Sequence, residues 1–221
     1  MEYTLAKKFS QIIILIGDIL HINYCLAIVL VCFLLRIILF PISARIFIYR
    51  RKISMIKAEK ETINNKYPES KMRKEREKEI KRLYEKNGID FKKQGCLPIL
   101  IQLPIIVLFV NAITNNDIIT HTKFLWFTLG ERDSLYLLPI CAGVMTLLEA
   151  PIANKIENVS KGIKRMLIMP CLIVFLGVFF QSSLLVFWIT SSLISIIQNI
   201  FLLNRERLLV NSTIRDVEIP N

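Results

Sequence analysis

Arg36 is where this sequence most directly suggests chemistry, because it interrupts the run from Val29 to Phe40, which is otherwise wholly apolar. A guanidinium held at such a position in a membrane helix costs about 3 kcal/mol, so residues of this kind usually face a bundle interior or a watery cavity. Snorkelling to the aqueous surface is the bland alternative. Arg36 stands nine residues before Arg45, about 13 Å along a helix that rises 1.5 Å per residue, which favours an internal role.

A second polar feature lies near the other end of the chain. Trp188, Ser191, Ser195 and Asn199 recur at helical spacing, with Ser192 and Gln198 beside them. One face of that helix is therefore wet or hydrogen-bonded, although serines also join membrane helices to their neighbours. Taken with Arg36, the stripe is best explained by a shared hydrophilic cavity. Glu149 closes another apolar run, either as a solvated end residue or as a group facing Arg36. Gln102, between Pro98 and Pro104, is either a hydrogen-bonding contact between helices or cavity lining.

These groups carry no enzyme signature. There is no HExxH, no GxxxxGK, no GxGxxG, and no serine or cysteine triad that the two isolated histidines, His21 and His121, could complete. Cys25, Cys32, Cys96, Cys141 and Cys171 lie in or beside apolar runs without metal-ligand spacing, and packing is the expected role. No catalytic residue, cofactor or metal is expected.

The elements that hold these residues follow from composition. Of 221 residues, 53% are hydrophobic, yet 29 Lys and Arg stand against 18 Asp and Glu. Long charge-free runs alternate with dense basic stretches, a membrane pattern rather than that of a soluble domain. The excess of positive charge is not interleaved with aromatics as in a nucleic-acid-binding module, so no specific nucleic acid is expected. Most of it sits between Arg45 and Lys93, where 17 Lys and Arg face 8 Asp and Glu.

About 20 mainly apolar residues are needed to cross about 30 Å of hydrocarbon. Five runs approach that length: 24–46, 97–113, 135–150, 166–180 and 184–203. Basic residues resist translocation, so the basic block 47–94 is expected in the cytoplasm, with loop 114–134 outside. Loop 151–165, with Lys155, Lys161, Lys164 and Arg165, is then inside. The same rule puts the amino terminus outside and the tail 204–221 in the cytoplasm. Residues 1–23 hold Lys7 and Lys8 ahead of Ile12–Ile16, a run too short for a span and interrupted by Gly17 and Asp18. They are expected to form an amphipathic interfacial helix.

The basic block is expected to be a helical hairpin, since good helix formers flank Lys66-Tyr67-Pro68-Glu69-Ser70 and proline cannot sit inside a helix. Its apolar stripe is thin: Ile53, Ile56 and Ile63 on one arm, Met72, Ile80, Leu83 and Tyr84 on the other. The arms should hold together weakly.

The order of features resembles the YidC family of membrane protein insertases: an intramembrane arginine before a proline, a basic hairpin, then Gly95-Cys96-Leu97-Pro98-Ile99-Leu100-Ile101-Gln102-Leu103-Pro104. The resemblance continues through Phe124-Leu125-Trp126, Leu137-Leu138-Pro139-Ile140, Met169-Pro170 and Leu185-Val186-Phe187-Trp188-Ile189-Thr190-Ser191, and covers roughly residues 9–203. It implies an all-α polytopic fold of the bacterial plasma or inner membrane. Five transmembrane helices would surround a groove open to cytoplasm and lipid, without the large periplasmic domain of Gram-negative members. Arg36, Cys32, Gln102, Glu149, Trp188, Ser191 and Ser195 would form the client-binding groove. Family members often carry glutamine where Glu149 stands, and the outer turn before the fifth span has Gln181-Ser182-Ser183 in place of the usual small and proline residues.

The implied partners are newly made membrane proteins, the lipid bilayer, and the ribosome and Sec translocon through the hairpin. Arg205, Arg207 and Arg215 are offset by Glu206, Asp216 and Glu218, so the tail is not expected to bind ribosomes. Two rival readings remain. A small-anion transporter or channel would also use a buried arginine, but no internal repeat of the kind transporters show is visible. A chaperone acting only in assembly would bind finished helices without inserting them.

Overall fold

A computed structural model describes residues 2–68, 72–89, 97–158 and 163–217, without the side chains of 2–5, 97–103, 164–165 and 207–217. Ten helices carry almost all of it: α1 Glu2–Leu20, α2 Tyr24–Ile38, α3 Phe40–Met55, α4 Lys57–Lys66, α5 Arg73–Lys86, α6 Leu97–Thr114, α7 Asp117–Thr120, α8 Leu137–Ile156, α9 Ile163–Gly177 and α10 Ser182–Val217. The only strands among the described residues are β1 Lys123–Phe124 and β2 Phe127–Thr128, paired antiparallel. The fold class is all-α.

Of the described helices, Leu137–Ile156 and the Ser182–Glu206 part of α10 are long and apolar enough to cross a bilayer. Residues Ala6–Leu20 and Tyr24–Ile38 pass the same test only as a pair bent by 115°. Pro104–Thr114 and Met166–Gly177 are shorter apolar helices. Outward-facing Phe33, Ile38, Leu148, Ile168, Phe175 and Phe201 are all exposed, whereas Ser182, Ser183, Ser191 and Ser192 of α10 are buried. An apolar exterior with the buried polar groups hydrogen-bonded inside suits lipid, where satisfying polar groups internally is obligatory.

The run 24–46, read as one span, is two helices meeting at Leu39. Pro41 has no N–H to give the carbonyl of Ile37, and the chain restarts there with Ile42 N and Ser43 N both donating to Leu39 O at 3.0 Å. The 36-residue α10 runs without interruption through Val217, so much of segment 204–221 continues the fifth apolar helix.

At the other end of the bundle, α1 lays Phe9 and Ile13 on α6, with the rings of Phe9 and Phe109 edge to face at 6.4 Å. Asn23 caps α2 by accepting from Cys25 N at 2.9 Å and donates to Lys123 O at 3.0 Å, tying that helix to β1. Ser182 and Ser183 settle the shape of the turn that leads into α10. Their backbone N–H groups donate to Glu131 O at 2.7 Å and Leu129 O at 3.0 Å. The core here is apolar, built from Ile28, Phe109, Ile113, Leu129, Leu138 and Leu185 among others.

The basic hairpin consists of the end of α3, α4 and α5. Its own core gathers Ile56, Ile80, Leu83, Tyr84 and Ile89, with Tyr49, Ile53 and Ile63 against it. Met72, expected in this stripe, is instead 43% exposed because it precedes α5 and lies beyond its packed face. The segment 69–71, inside the expected break, lies outside the described residues.

Candidate functional site

Three helices bring polar groups to one largely apolar cavity: α2 with Cys32 and Arg36, α8 with Glu149, and α10 with Trp188, Ser191, Ser195 and Asn199. The cavity measures about 390 Å³ and reaches along α3 to Ser43, Phe47 and Arg50. A second hollow of about 180 Å³ shares Arg36, Glu149, Trp188 and Ser191 and adds Thr146 and Ser192.

The serine spacing on α10 explains the assembly. Residues four apart on a helix share a face, and Ser191 and Ser195 direct that face at α2 and α8. Arg36 Nε donates to Ser191 Oγ at 3.0 Å, and its Nη2 donates to the same oxygen. Ser195 Oγ donates to Glu149 Oε1 at 2.7 Å, and Asn199 Nδ2 donates to Ser195 Oγ at 3.3 Å. Gln198 adds a bond from Nε2 to the backbone carbonyl of Arg36 at 3.1 Å.

Both charges are half-buried. No ion pair joins them among the described residues. Each is held by a neutral hydroxyl, so Arg36 keeps donor capacity for an incoming acceptor: a guanidinium has five N–H donors. An arginine locked to a carboxylate would have much less to offer a client.

The cavity lies between two apolar clusters. Phe187, its ring centre 4.7 Å from that of Phe109 and tilted by 34°, belongs to the large core beyond it. At the opposite end Phe47, Ile156 and Leu203 form a smaller plug. Two ion pairs flank that plug: Arg50 with Glu157 at 2.8 Å and Arg51 with Glu206 at 2.9 Å. Arg51 also donates to the carbonyls of Lys155 and Ile156.

Of the residues singled out from sequence, Cys32, Arg36, Glu149, Trp188, Ser191 and Ser195 come together here. The side chain of Gln102 lies outside the described residues. Arg50 was missed, since its position among many surface cations carried no distinguishing signal. The cysteines divide: Cys25 and Cys32 are buried, whereas Cys141 and Cys171 are exposed on α8 and α9, so packing describes only the first two. Cys96 lies outside the described residues.

An all-α chain with lipid-suited outer faces and a charged cavity among its apolar helices is a polytopic membrane protein. Its family model is that of the 60Kd inner membrane protein, which matches residues 15–208, and the chain belongs to that family, the YidC family. It is 33% identical to the membrane protein insertase YidC of Alkalihalophilus pseudofirmus, over 87% of this chain and 77% of that one. Identity to the membrane protein insertase MisCA of Bacillus subtilis is 31%, over 89% and 75% of the two chains. The YidC insertase of Fusobacterium nucleatum is 29% identical over 92% of this chain and 97% of its own. The chain is thus an integral protein of the bacterial inner membrane.

Proposed function

We propose that this chain is a membrane protein insertase, and that the polar or charged segment of a client passes through the cavity around Arg36 while its apolar segment moves directly into lipid. Relatives along most of the chain carry the insertase name. The observation that carries the mechanism is the half-buried guanidinium held by Ser191 rather than by an acid.

A polar group moving through hydrocarbon costs several kcal/mol. In the cavity the same group meets the donors of Arg36 and the hydroxyls of Ser191 and Ser195. The barrier falls by solvation alone, without covalent chemistry. Small clients with short translocated ends suit a cavity of about 390 Å³. The groove residues are Arg36, Cys32, Glu149, Trp188, Ser191 and Ser195, with Gln102 assigned from sequence.

In the bilayer, α2 with the start of α3, then α6, α8, α9 and α10 form five spans, with the amino terminus outside and the carboxyl terminus in the cytoplasm. The positive charge of 47–94 supports this orientation. The hairpin of α4 and α5, exposed and basic, receives clients and docks the ribosome or the translocon.

The test is insertion of a single-span client with an acidic translocated end into liposomes holding only the purified chain, read by protease protection. Arg36→Ala should lower the rate about tenfold or more, the effect of removing a charge partner from a partly dry site. Arg36→Lys should fall between, keeping the charge but losing the guanidinium fork. Wild-type insertion no better than empty liposomes would instead support a chaperone acting only in assembly.

A further inference from the structure

Glu149 places an anion in the same cavity as Arg36, and no ion pair joins the two among the described residues. Both are held from α10. Ser191 Oγ accepts from Arg36 Nε at 3.0 Å, while Ser195 Oγ, one turn further on, donates to Glu149 Oε1 at 2.7 Å. Asn199 donates to Ser195 Oγ at 3.3 Å, which leaves that hydroxyl's hydrogen for the carboxylate. Each charge thus has its own serine, one turn apart on α10, and the cavity offers both a cation and an anion.

A cavity holding a lone guanidinium selects by sign. It lowers the barrier for an acidic segment and raises it for a basic one, because like charges brought together out of bulk water repel. The other cation lining the cavity, Arg50, is occupied by Glu157 at 2.8 Å. Glu149 faces the open volume at 390 Å³ and the smaller hollow beside it. An ammonium or guanidinium passing through therefore meets a carboxylate as well as Arg36.

We infer that Glu149 is a second, anionic binding position for clients, so that this protein passes translocated segments carrying Lys, Arg or a free amine as well as acidic ones. The inference rests on the insertase reading above. Arg36 and Glu149 divide the clients between them by charge, and Ser195 is the positioning residue that holds the carboxylate toward the cavity.

The experiment uses the full chain in phosphatidylcholine vesicles, which carry no net surface charge. Three single-span clients with acetylated amino termini differ only in an Asp pair, a Ser pair or a Lys pair in the translocated segment. The wild type should insert the Lys client at a rate within about threefold of the Asp client, and Glu149→Gln should lower the Lys-to-Asp ratio about tenfold. Glu149→Asp should keep the ratio. Exclusion of the Lys client by a wild type that inserts the Asp client overturns the inference, as does a ratio unchanged in Glu149→Gln. The wild-type comparison needs no variant and decides the matter where Glu149→Gln does not fold. If the wild type inserts none of the three, the insertase reading itself fails and takes this inference with it.

Discussion

Arg36 spends two N–H groups on one serine oxygen, and removing that oxygen isolates the contribution of its placement. Ser191→Ala should lower insertion of an acidic-ended client about fivefold, equivalent to losing a hydrogen bond worth about 1 kcal/mol, without changing the charge in the cavity. Asp133 offers the contrasting case of a purely structural acid. It is 3% exposed and accepts from Trp126 Nε1 at 3.0 Å, Leu135 N at 3.1 Å and Leu138 N at 2.6 Å, satisfying the start of α8. Asp133→Ala should cost about 2 kcal/mol, measured as a lowered melting temperature in detergent. Arg36 and the serines of α10 were legible in the sequence because a charge in an apolar run is rare and helical spacing puts i and i+4 on one face. Arg50 was not, because its partner lies on a segment that only folding brings near; Asp133 has its partners close in sequence, at Trp126, Leu135 and Leu138, but nothing in its type or spacing set it apart.

Among the elements, the α8–α9 pair and the hairpin test different forces. A Cβ built on Gly143 of α8 would meet Val174 Cγ2 of α9 at 2.3 Å and Pro170 O at 3.3 Å. Close backbone approach of this kind is how membrane helices gain packing energy. Gly143→Leu should therefore lose about 1–3 kcal/mol through overpacking, seen as earlier thermal aggregation. The hairpin relies on Tyr84, which is fully buried with Ile56, Ile80 and Leu83, so Tyr84→Ala should speed proteolysis of 47–94 while leaving α8 and α10 protected. Acid acts on the same hairpin. Hydrogen bonds from Lys66 and Tyr67, at 2.9 Å each, hold the Glu79 carboxyl below its ordinary value. A lowered folded value means the contact stabilises above the unfolded carboxylate range, near pH 4, and is lost as pH falls from there through the lower folded value. Protease sensitivity of the hairpin should rise with that acidification. The hairpin could be read from its helix formers around Pro68. The loss of Met72 from its core could not, since that depends on where α5 begins.

For the whole molecule, the apolar runs and basic blocks disclosed an all-α membrane protein, because lipid and water impose opposite demands on neighbouring segments. The interruption at Leu39 was foreshadowed only by Pro41, and the continuity of α10 through Val217 had no signal beyond an absence of breakers. The ion pairs Arg50–Glu157 and Arg51–Glu206 join α3 to the end of α8 and to the later part of α10. Their side chains are about a quarter to a third exposed, so Glu157→Gln with Glu206→Gln should cost only about 1 kcal/mol after screening, checked by thermal melting. In the proposed mechanism clients travel through the Arg36 cavity rather than along the outer surface. Its most direct test is a photo-crosslinking residue at Trp188, in the cavity, compared with one at Phe175, exposed on the outer face of α9, during insertion of a client labelled in its translocated segment. Crosslinks from position 188 and few from position 175 are the predicted result, and crosslinks from position 175 alone would contradict it.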